Sequence, residues 1–289
     1  MERLVILAPA LVGVAFFVAL FLVYCGLCAV GRTPDIAGVD RRRFTDLFGP
    51  FLTRFVLWVI GPAERMLIAT GISPNALTCM SLAACGAAGA AIASEHLASA
   101  AWLYVLAGLL DILDGRLARA TGRSTIAGAL IDSVADRWGE IFVFTGCAWY
   151  LHESPWMLTV MAALGGSMMV SYTRARGEGL GLRLDGGTMQ RAERIVLVTL
   201  GILVAAWLEA AASTSAYGEP ALGVALCAVG LASSITAVGR WIAGYRLLLA
   251  REHAPSRTSV VPLRPRVEPA AAPAPAAKAS IRISSEHTA

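Results

Sequence analysis

Four aspartates stand close together in one short stretch of an otherwise apolar chain. They belong to the pattern D-x2-D-G-x2-A-R-x8-G-x3-D-x3-D, whose fixed positions are Asp111, Asp114, Gly115, Ala118, Arg119, Gly128, Asp132 and Asp136. Burying an unpaired carboxylate costs so much free energy that an apolar chain keeps four together only where cations compensate them. The natural compensation is bound divalent metal.

The residue types around the aspartates indicate which chemistry such metals would serve. Mg²⁺ and Mn²⁺ prefer oxygen ligands, and four carboxylates suit two ions at the roughly 3.5–4 Å separation of two-metal phosphoryl chemistry. Gly115 and Gly128 remove side chains where a bulky ligand must approach the backbone. Arg119 adds a guanidinium that can bind a phosphate through two hydrogen bonds. An alternative is that the aspartates are solvated helix ends paired with Arg116 or Arg119, but eight constrained positions disfavour it.

The composition places this pattern in a membrane protein. The chain has 289 residues, 57% of them hydrophobic, a mean hydropathy of +0.66 and 15% charged residues, against about 25% charged residues in soluble domains. The six cysteines lie in apolar stretches, where cysteine behaves as a small hydrophobe, so we expect neither disulfides nor zinc. We predict a polytopic, all-α integral membrane protein with no nucleic-acid partner.

Apolar runs predict one membrane helix in front of a six-helix core. The front run covers residues 4–30, and the core helices are predicted at residues 74–94, 97–119, 124–151, 156–176, 192–212 and 221–249, near the roughly 20 residues that a bilayer requires. Between them, residues 44–60 carry apolar side chains at helical spacing, which predicts a helix lying along the membrane interface or an ordinary loop helix. We expect four parts: an extra transmembrane helix (1–33), a cytoplasmic juxtamembrane segment (34–72), a catalytic membrane domain (73–250) and a disordered Pro/Ala-rich tail (251–289).

The predicted helices bring the aspartates together at one end of the core. Residues three and four apart share a helix face, so Asp111 and Asp114 project from the end of one span. Asp132 and Asp136 project in the same way from the start of the next span. Basic residues gather at this end and are absent from the opposite loops, which predicts that it faces the cytoplasm from the inner (cell) membrane. The four carboxylates should therefore surround a pocket at the cytoplasmic interface.

The whole pattern resembles the signature of the CDP-alcohol phosphotransferase family of integral membrane enzymes, and no signature position departs from it. The resemblance implies transfer of a phosphatidyl group from CDP-diacylglycerol to an alcohol, with release of CMP. It also implies two Mg²⁺ or Mn²⁺ ions held by Asp111, Asp114 and Asp132, with Asp136 near the metal and acting as general base. A homodimer is implied as well.

Further site residues follow from the same resemblance. Gly115, Gly128 and Arg119 would contact the CDP-lipid. Residues 73–78, which read S-P-N-A-L-T, resemble the family's Pro-Asn-x-Leu-Thr segment, so Asn75 and Thr78 are nucleotide-contact candidates. Read alone, Ser73 and Pro74 are an ordinary helix cap and first helical residue.

A second basic cluster, at the same end of the core, concerns the acceptor. Its members Arg174, Arg176, Arg191 and Arg194 could form a phosphate clamp, which favours a small phosphorylated alcohol; the alternative is that they only anchor the membrane surface. The cluster resembles that of bacterial phosphatidylinositol-phosphate synthases, which use inositol phosphate, although Arg174 stands where that subgroup tends to carry Lys. Phosphatidylglycerophosphate synthase, which uses glycerol 3-phosphate, is the close rival.

Two other classes use intramembrane carboxylates. Membrane prenyltransferases carry two aspartate clusters with different spacing and lack the D-G-x2-A-R segment. A divalent-cation transporter predicts carboxylates near the midplane between repeated halves, whereas these lie near one end of the spans and no repeat is visible. The sequence therefore favours the six-helix phosphotransferase core with one added N-terminal helix.

Overall fold

The computed structural model describes residues 2–32, 49–212, 214 and 216–253. Every regular element in this part of the chain is a helix. Its elements are α1 (Glu2–Ala29), α2 (Gly49–Thr70), α3 (Pro74–Ala93), α4 (Leu97–Ala120), α5 (Ile126–Tyr150), α6 (Met157–Gly179), α7 (Arg191–Ala212) and α8 (Gly218–His253). The prediction of an all-α protein with a front helix and six core helices is confirmed.

Local sequence explains where the core helices begin. The Ser73 hydroxyl accepts a hydrogen bond from the Ala76 backbone N–H, and Pro74 follows as the first residue of α3. Thr125 caps α5 in the same way, accepting from the Gly128 N–H at 2.9 Å. A side-chain oxygen at these positions satisfies a backbone donor that has no partner within the helix.

The juxtamembrane helix differs from the prediction. It runs over Gly49–Thr70 and continues through Pro62, whereas the apolar spacing predicted residues 44–60. Its apolar residues Leu57, Ile60 and Leu67 pack with Leu113 and Leu117 of α4, and this packing carries the helix past the proline. The first part of the predicted juxtamembrane segment, residues 34–48, and the predicted tail from residue 254 onward lie outside the described residues.

By length and composition, five of the described helices could cross a membrane: α3, α4, α7, α8 and the Leu11–Ala29 part of α1. We predicted seven spans, with α5 and α6 among them. These two helices carry charged residues at the ends that form the site, among them Asp132, Asp136, Arg174 and Glu178. Both are long, at 25 and 23 residues, and the seven-span count stays a prediction.

Close helix packing fixes how α3 stands against α5. A β-carbon added at Gly89 would meet the Phe142 carbonyl, and one added at Gly146 would meet the Gly89 carbonyl. The two backbones therefore touch, which only small residues permit. Because α3 carries Asn75 and Thr78 while α5 carries Asp132, this contact sets the spacing of residues on opposite sides of the predicted site.

Replacing Gly146 by Ala should destabilise the protein, although the same change in an open helix position stabilises it by about 1 kcal/mol. The added methyl group would overlap the Gly89 carbonyl and force α3 and α5 apart, at a typical cost of about 1–3 kcal/mol. Gly165→Ala in α6 is the matched control, since a β-carbon there meets nothing within 4 Å. Thermal unfolding of both variants in detergent measures the difference, and an equal Tm for the two would contradict the prediction.

The front helix attaches to the core through aromatic contacts. Phe17 stacks on Trp102 of α4, with ring centroids 5.6 Å apart and planes at 6°. Tyr24 packs against Phe55 and Trp58 of α2. Helices α1 and α2 therefore pack against each other and against α4, the helix that carries the first two aspartates.

Candidate metal and substrate site

Three of the four aspartates form one compact cluster. Asp111 and Asp114 come from the end of α4, Asp132 comes from the start of α5, and one carboxylate oxygen of each lies within 4.8 Å of the others. Helical spacing explains the convergence, because residues three apart share a face and the short turn at residues 121–125 brings the two helix ends together. Asp114 is the most enclosed of the three, with 4% of its surface exposed.

The cluster fits a hard divalent cation. All its donors are carboxylate oxygens, the ligands that Mg²⁺ and Mn²⁺ prefer. The buried Thr78 hydroxyl donates to Asp114 Oδ2 at 2.5 Å and so fixes how that carboxylate points. Such a partner holds a ligating group in place and is often as important as the ligand. Thr78 thus positions Asp114, and its contact with the nucleotide stays a prediction.

Asp136 stands beside this cluster and is engaged with arginines. Its Oδ1 lies 2.7 Å from Nη1 of Arg191, and its Oδ2 lies 3.8 Å from Nη1 of Arg137. The same Arg191 nitrogen is 2.5 Å from Asp111 Oδ1. Arg191 therefore bridges the outer aspartates of the pattern, one from α4 and one from α5.

A small cavity of about 160 Å³ opens on one side of the cluster. It contains every residue that the sequence assigned to the CDP-lipid, and its wall includes Asn75, Thr78, Asp114, Gly115, Arg119, Gly128 and Asp132. A β-carbon at Gly128 would lie 3.0 Å from Thr125 Oγ1 and 3.3 Å from Asn75 Oδ1. Glycine at this position therefore keeps the wall of the cavity open.

A larger cavity of about 720 Å³ opens on the other side. Asp132 lines both cavities, so the carboxylate cluster lies at their junction. The larger cavity is lined by five arginines and five carboxylates, and these charged wall residues are Asp111, Asp132, Asp136, Arg137, Glu140, Arg174, Glu178, Arg191, Arg194 and Arg240. Arg174 is held by Glu178 at 3.0 Å and lies 4.0 Å from Asp185.

Two of the four predicted acceptor arginines are placed differently from the expectation. Arg194 is 2% exposed and pairs with Glu140, which is 3% exposed, through contacts of 2.9 and 2.5 Å to Glu140 Oε1. Its charge is compensated inside the protein, which favours a structural role in the cavity wall, and its binding to the acceptor phosphate stays a prediction. Arg176 is exposed and is not among the residues that line the cavity, because it points away from the face that carries Arg174.

Arg240 of α8 is a cavity residue that the sequence reasoning missed. It is 5% exposed, donates to the carbonyls of Gly186 and Val170 at 2.7 and 2.9 Å, and has no ion pair with any described carboxylate. The sequence did contain a signal for this residue, because Arg240 lies more than three turns before the end of an apolar membrane helix. An arginine at such a position is costly and marks a functional site by default.

Comparison with known proteins identifies the family. Residues 71–236 match the family model described as CDP-alcohol phosphatidyltransferase. The phosphatidylinositol phosphate synthase of Corynebacterium glutamicum is 31% identical over 201 residues, which cover 67% of this chain and 87% of that protein. The enzyme of the same name from Mycobacterium tuberculosis H37Rv is 32% identical over 200 residues, covering 66% and 88%.

Solved structures lead to the same family. A crystal structure of the Mycobacterium tuberculosis phosphatidylinositol phosphate synthase with CDP-DAG bound has a TM-score of 0.56 and 30% identity, covering 64% of this chain and 92% of that one. A second structure of that enzyme, in complex with manganese and citrate, also has a TM-score of 0.56 and 30% identity, covering 64% and 88%. This chain is therefore an integral membrane transferase that belongs to the CDP-alcohol phosphatidyltransferase family.

Proposed function

We propose that the chain transfers the phosphatidyl group of CDP-diacylglycerol to the hydroxyl of a phosphorylated alcohol, inositol phosphate, and releases CMP. The observation that carries this proposal is the position of the carboxylate cluster at the junction of two different cavities. The small cavity holds the family's CDP-lipid residues, and the large one offers arginines to an anionic acceptor. Relatives named phosphatidylinositol phosphate synthase support this choice of acceptor.

The small cavity would bind and orient the CDP head group. Arg119 would donate to the diphosphate, Asn75 would contact the nucleotide, and Gly115 and Gly128 would let the ligand approach the backbone. Asp111, Asp114 and Asp132 would hold two Mg²⁺ or Mn²⁺ ions, which neutralise negative charge on the diphosphate and on the departing CMP. The acyl chains remain among membrane lipids while the head group reaches the site.

The large cavity would bring the acceptor hydroxyl to Asp136. This carboxylate lies on the wall of the acceptor cavity, beside the metal cluster. A general base must lie within hydrogen-bond reach of the proton it takes. Asp136 would accept the hydroxyl proton as the oxygen forms its bond to the β-phosphorus and the bond from that phosphorus to CMP breaks.

Three further properties belong to this proposal. Positive-inside bias supports a site on the cytoplasmic face of the inner membrane, because the arginines cluster at the helix ends that carry the aspartates. The catalytic domain comprises residues 73–250, and the family resemblance makes a homodimer the expected assembly. Glycerol 3-phosphate is the second candidate acceptor, since the same arginines suit its phosphate.

Release of CMP by the purified protein tests the function. The protein in detergent receives CDP-diacylglycerol with Mg²⁺ or Mn²⁺ and one acceptor at a time: inositol phosphate, glycerol 3-phosphate, free inositol or serine. We expect CMP with inositol phosphate only. Release of CMP with glycerol 3-phosphate alone would make that compound the acceptor. Equal rates with neutral alcohols would mean that the arginines only anchor the membrane surface. If no acceptor gives CMP, the transporter and prenyltransferase alternatives are open again.

Replacing Arg240 by Gln should raise the KM for inositol phosphate by about 10- to 100-fold, because a hydrogen bond from a charged group contributes about 1.5–3 kcal/mol. The KM for CDP-diacylglycerol should change little, since Arg240 does not line the small cavity. Arg183→Gln is the control: Arg183 is exposed in the α6–α7 connection and lies outside both cavities. Equal KM values for the two variants would remove Arg240 from the acceptor site.

A further inference from the structure

Arg191 occupies an unusual position for a residue that is expected to bind an acceptor phosphate. One of its nitrogens, Nη1, lies 2.5 Å from Asp111 Oδ1 and 2.7 Å from Asp136 Oδ1. Its side chain is 18% exposed, and it also lines the large cavity. The guanidinium therefore stands between the metal cluster, through Asp111, and the acceptor cavity.

Arg191 and a divalent ion compete for the same partner. Asp111 is one of the three clustered metal-ligand candidates, and its carboxylate is also one of the two that hold Arg191. A guanidinium and a divalent ion at one carboxylate draw on the same negative charge and repel each other at short range. Filling the cluster with metal must therefore weaken the hold of Asp111 on Arg191.

The other arginines of the large cavity are not placed to compete in this way. Arg174 is held by Glu178 and Asp185, and Arg194 is held by Glu140. Arg137 is 3.8 Å from Asp136 and forms no ion pair with the three clustered aspartates of the described residues. Within the described residues, Arg191 alone joins a clustered aspartate to the acceptor cavity.

We propose that Arg191 is an interlock between metal binding and acceptor binding. Before metal binds, Asp111 and Asp136 hold the guanidinium, which masks the carboxylate that would take the acceptor's proton. When metal binds the cluster, Arg191 moves into the large cavity and donates to the acceptor's phosphate, and Asp136 becomes free. The acceptor half of this inference rests on the proposed function.

The interlock has a thermodynamic consequence that needs no turnover. If metal releases Arg191 to the acceptor, metal raises the affinity for acceptor, and acceptor must raise the affinity for metal by the same factor. Such couplings typically amount to roughly 5- to 150-fold. The coupling can be measured without CDP-diacylglycerol, so that no reaction occurs.

The experiment measures Mn²⁺ binding by electron paramagnetic resonance and inositol phosphate binding by calorimetry, each with and without the other, on the full chain in detergent. In the unmodified protein we expect Mn²⁺ to tighten inositol phosphate binding by about tenfold or more. Arg191→Gln should bind Mn²⁺ alone more tightly, because the competitor is gone, and should lose most of the coupling. Arg174→Gln is the matched control, which should bind inositol phosphate more weakly but keep its Mn²⁺ affinity and its coupling.

Two results would overturn the interlock: unchanged Mn²⁺ affinity in Arg191→Gln, or full coupling retained in that variant. A direct bond between metal and acceptor phosphate would give the second result, since it does not need Arg191. Failure of the proposed function looks different. If Arg191→Gln binds Mn²⁺ more tightly while the unmodified protein binds no inositol phosphate under any condition, the competition stands and the assigned acceptor is wrong.

Discussion

Asp136→Asn is expected to lower kcat for CMP release by about 10²- to 10⁴-fold, the usual contribution of a general base. The amide keeps the size of the carboxylate but cannot accept the acceptor's proton. The reason to assign this role to Asp136 and not to the other aspartates is its position: it lines the acceptor cavity and stands outside the compact three-carboxylate cluster.

Measuring metal binding distinguishes a general base from a metal ligand at this position. Asp136→Asn should weaken Mn²⁺ binding less than Asp114→Asn does, because Asp114 is the most buried member of the cluster and is fixed by the Thr78 hydroxyl. Glu153→Gln supplies the control, since Glu153 is exposed in the α5–α6 connection and lies outside both cavities. Turnover near that of the unmodified protein in Asp136→Asn would exclude it as the base, and Mn²⁺ binding weakened as much as in Asp114→Asn would make it a metal ligand instead.

The sequence was sufficient for the parts of the molecule that local patterns determine. The second core helix was predicted from Leu97 to Arg119 and is Leu97–Ala120 in the structure, because an apolar run of about bilayer length strongly favours one membrane helix. The convergence of Asp111, Asp114 and Asp132 followed from helical spacing and a short turn. Ser73 as a helix cap was equally local.

Contacts between distant segments could not be predicted in the same way. Arg116 was considered as a partner for the aspartates, yet its guanidinium pairs with Glu64 of α2 at 2.7 Å, 52 residues away. The apolar spacing predicted that the juxtamembrane helix ends at residue 60, but packing against α4 continues α2 through Pro62 to Thr70. In both cases tertiary contacts outweigh what the local sequence favours, and a single sequence does not report them.

The acceptor arginines show the same limit with a functional consequence. Arg174, Arg176, Arg191 and Arg194 look equivalent in the sequence, since all four lie at cytoplasmic helix ends. The structure separates them by their partners. Arg174 pairs with a carboxylate of its own helix, and Arg176 is exposed to solvent. Arg191 pairs with two aspartates of the site, and Arg194 pairs with a buried glutamate 54 residues away. Charge alone therefore predicts a cluster of basic residues, and only their partners tell which of these cations are available to a ligand.

Arg194→Met is expected to destabilise the protein by about 3–5 kcal/mol, because it leaves the Glu140 carboxylate buried without its compensating charge. The pair joins α5 to α7, so its loss also loosens the wall of the acceptor cavity. The change should appear as a large fall in Tm in detergent. Most of the loss should be recovered in the double variant Glu140→Leu with Arg194→Met, since a buried ion pair can be replaced by apolar residues of similar volume at little cost.

This pair of variants distinguishes the two interpretations of Arg194. If the guanidinium binds the acceptor's phosphate directly, the double variant should regain its Tm but keep a strongly raised KM for inositol phosphate. If Arg194 is structural, the double variant should regain its Tm and recover a KM close to that of the unmodified protein. We expect the second outcome, because both contacts of the guanidinium to Glu140 lie at 2.9 Å or less and its remaining Nη1 already donates to the Met189 carbonyl.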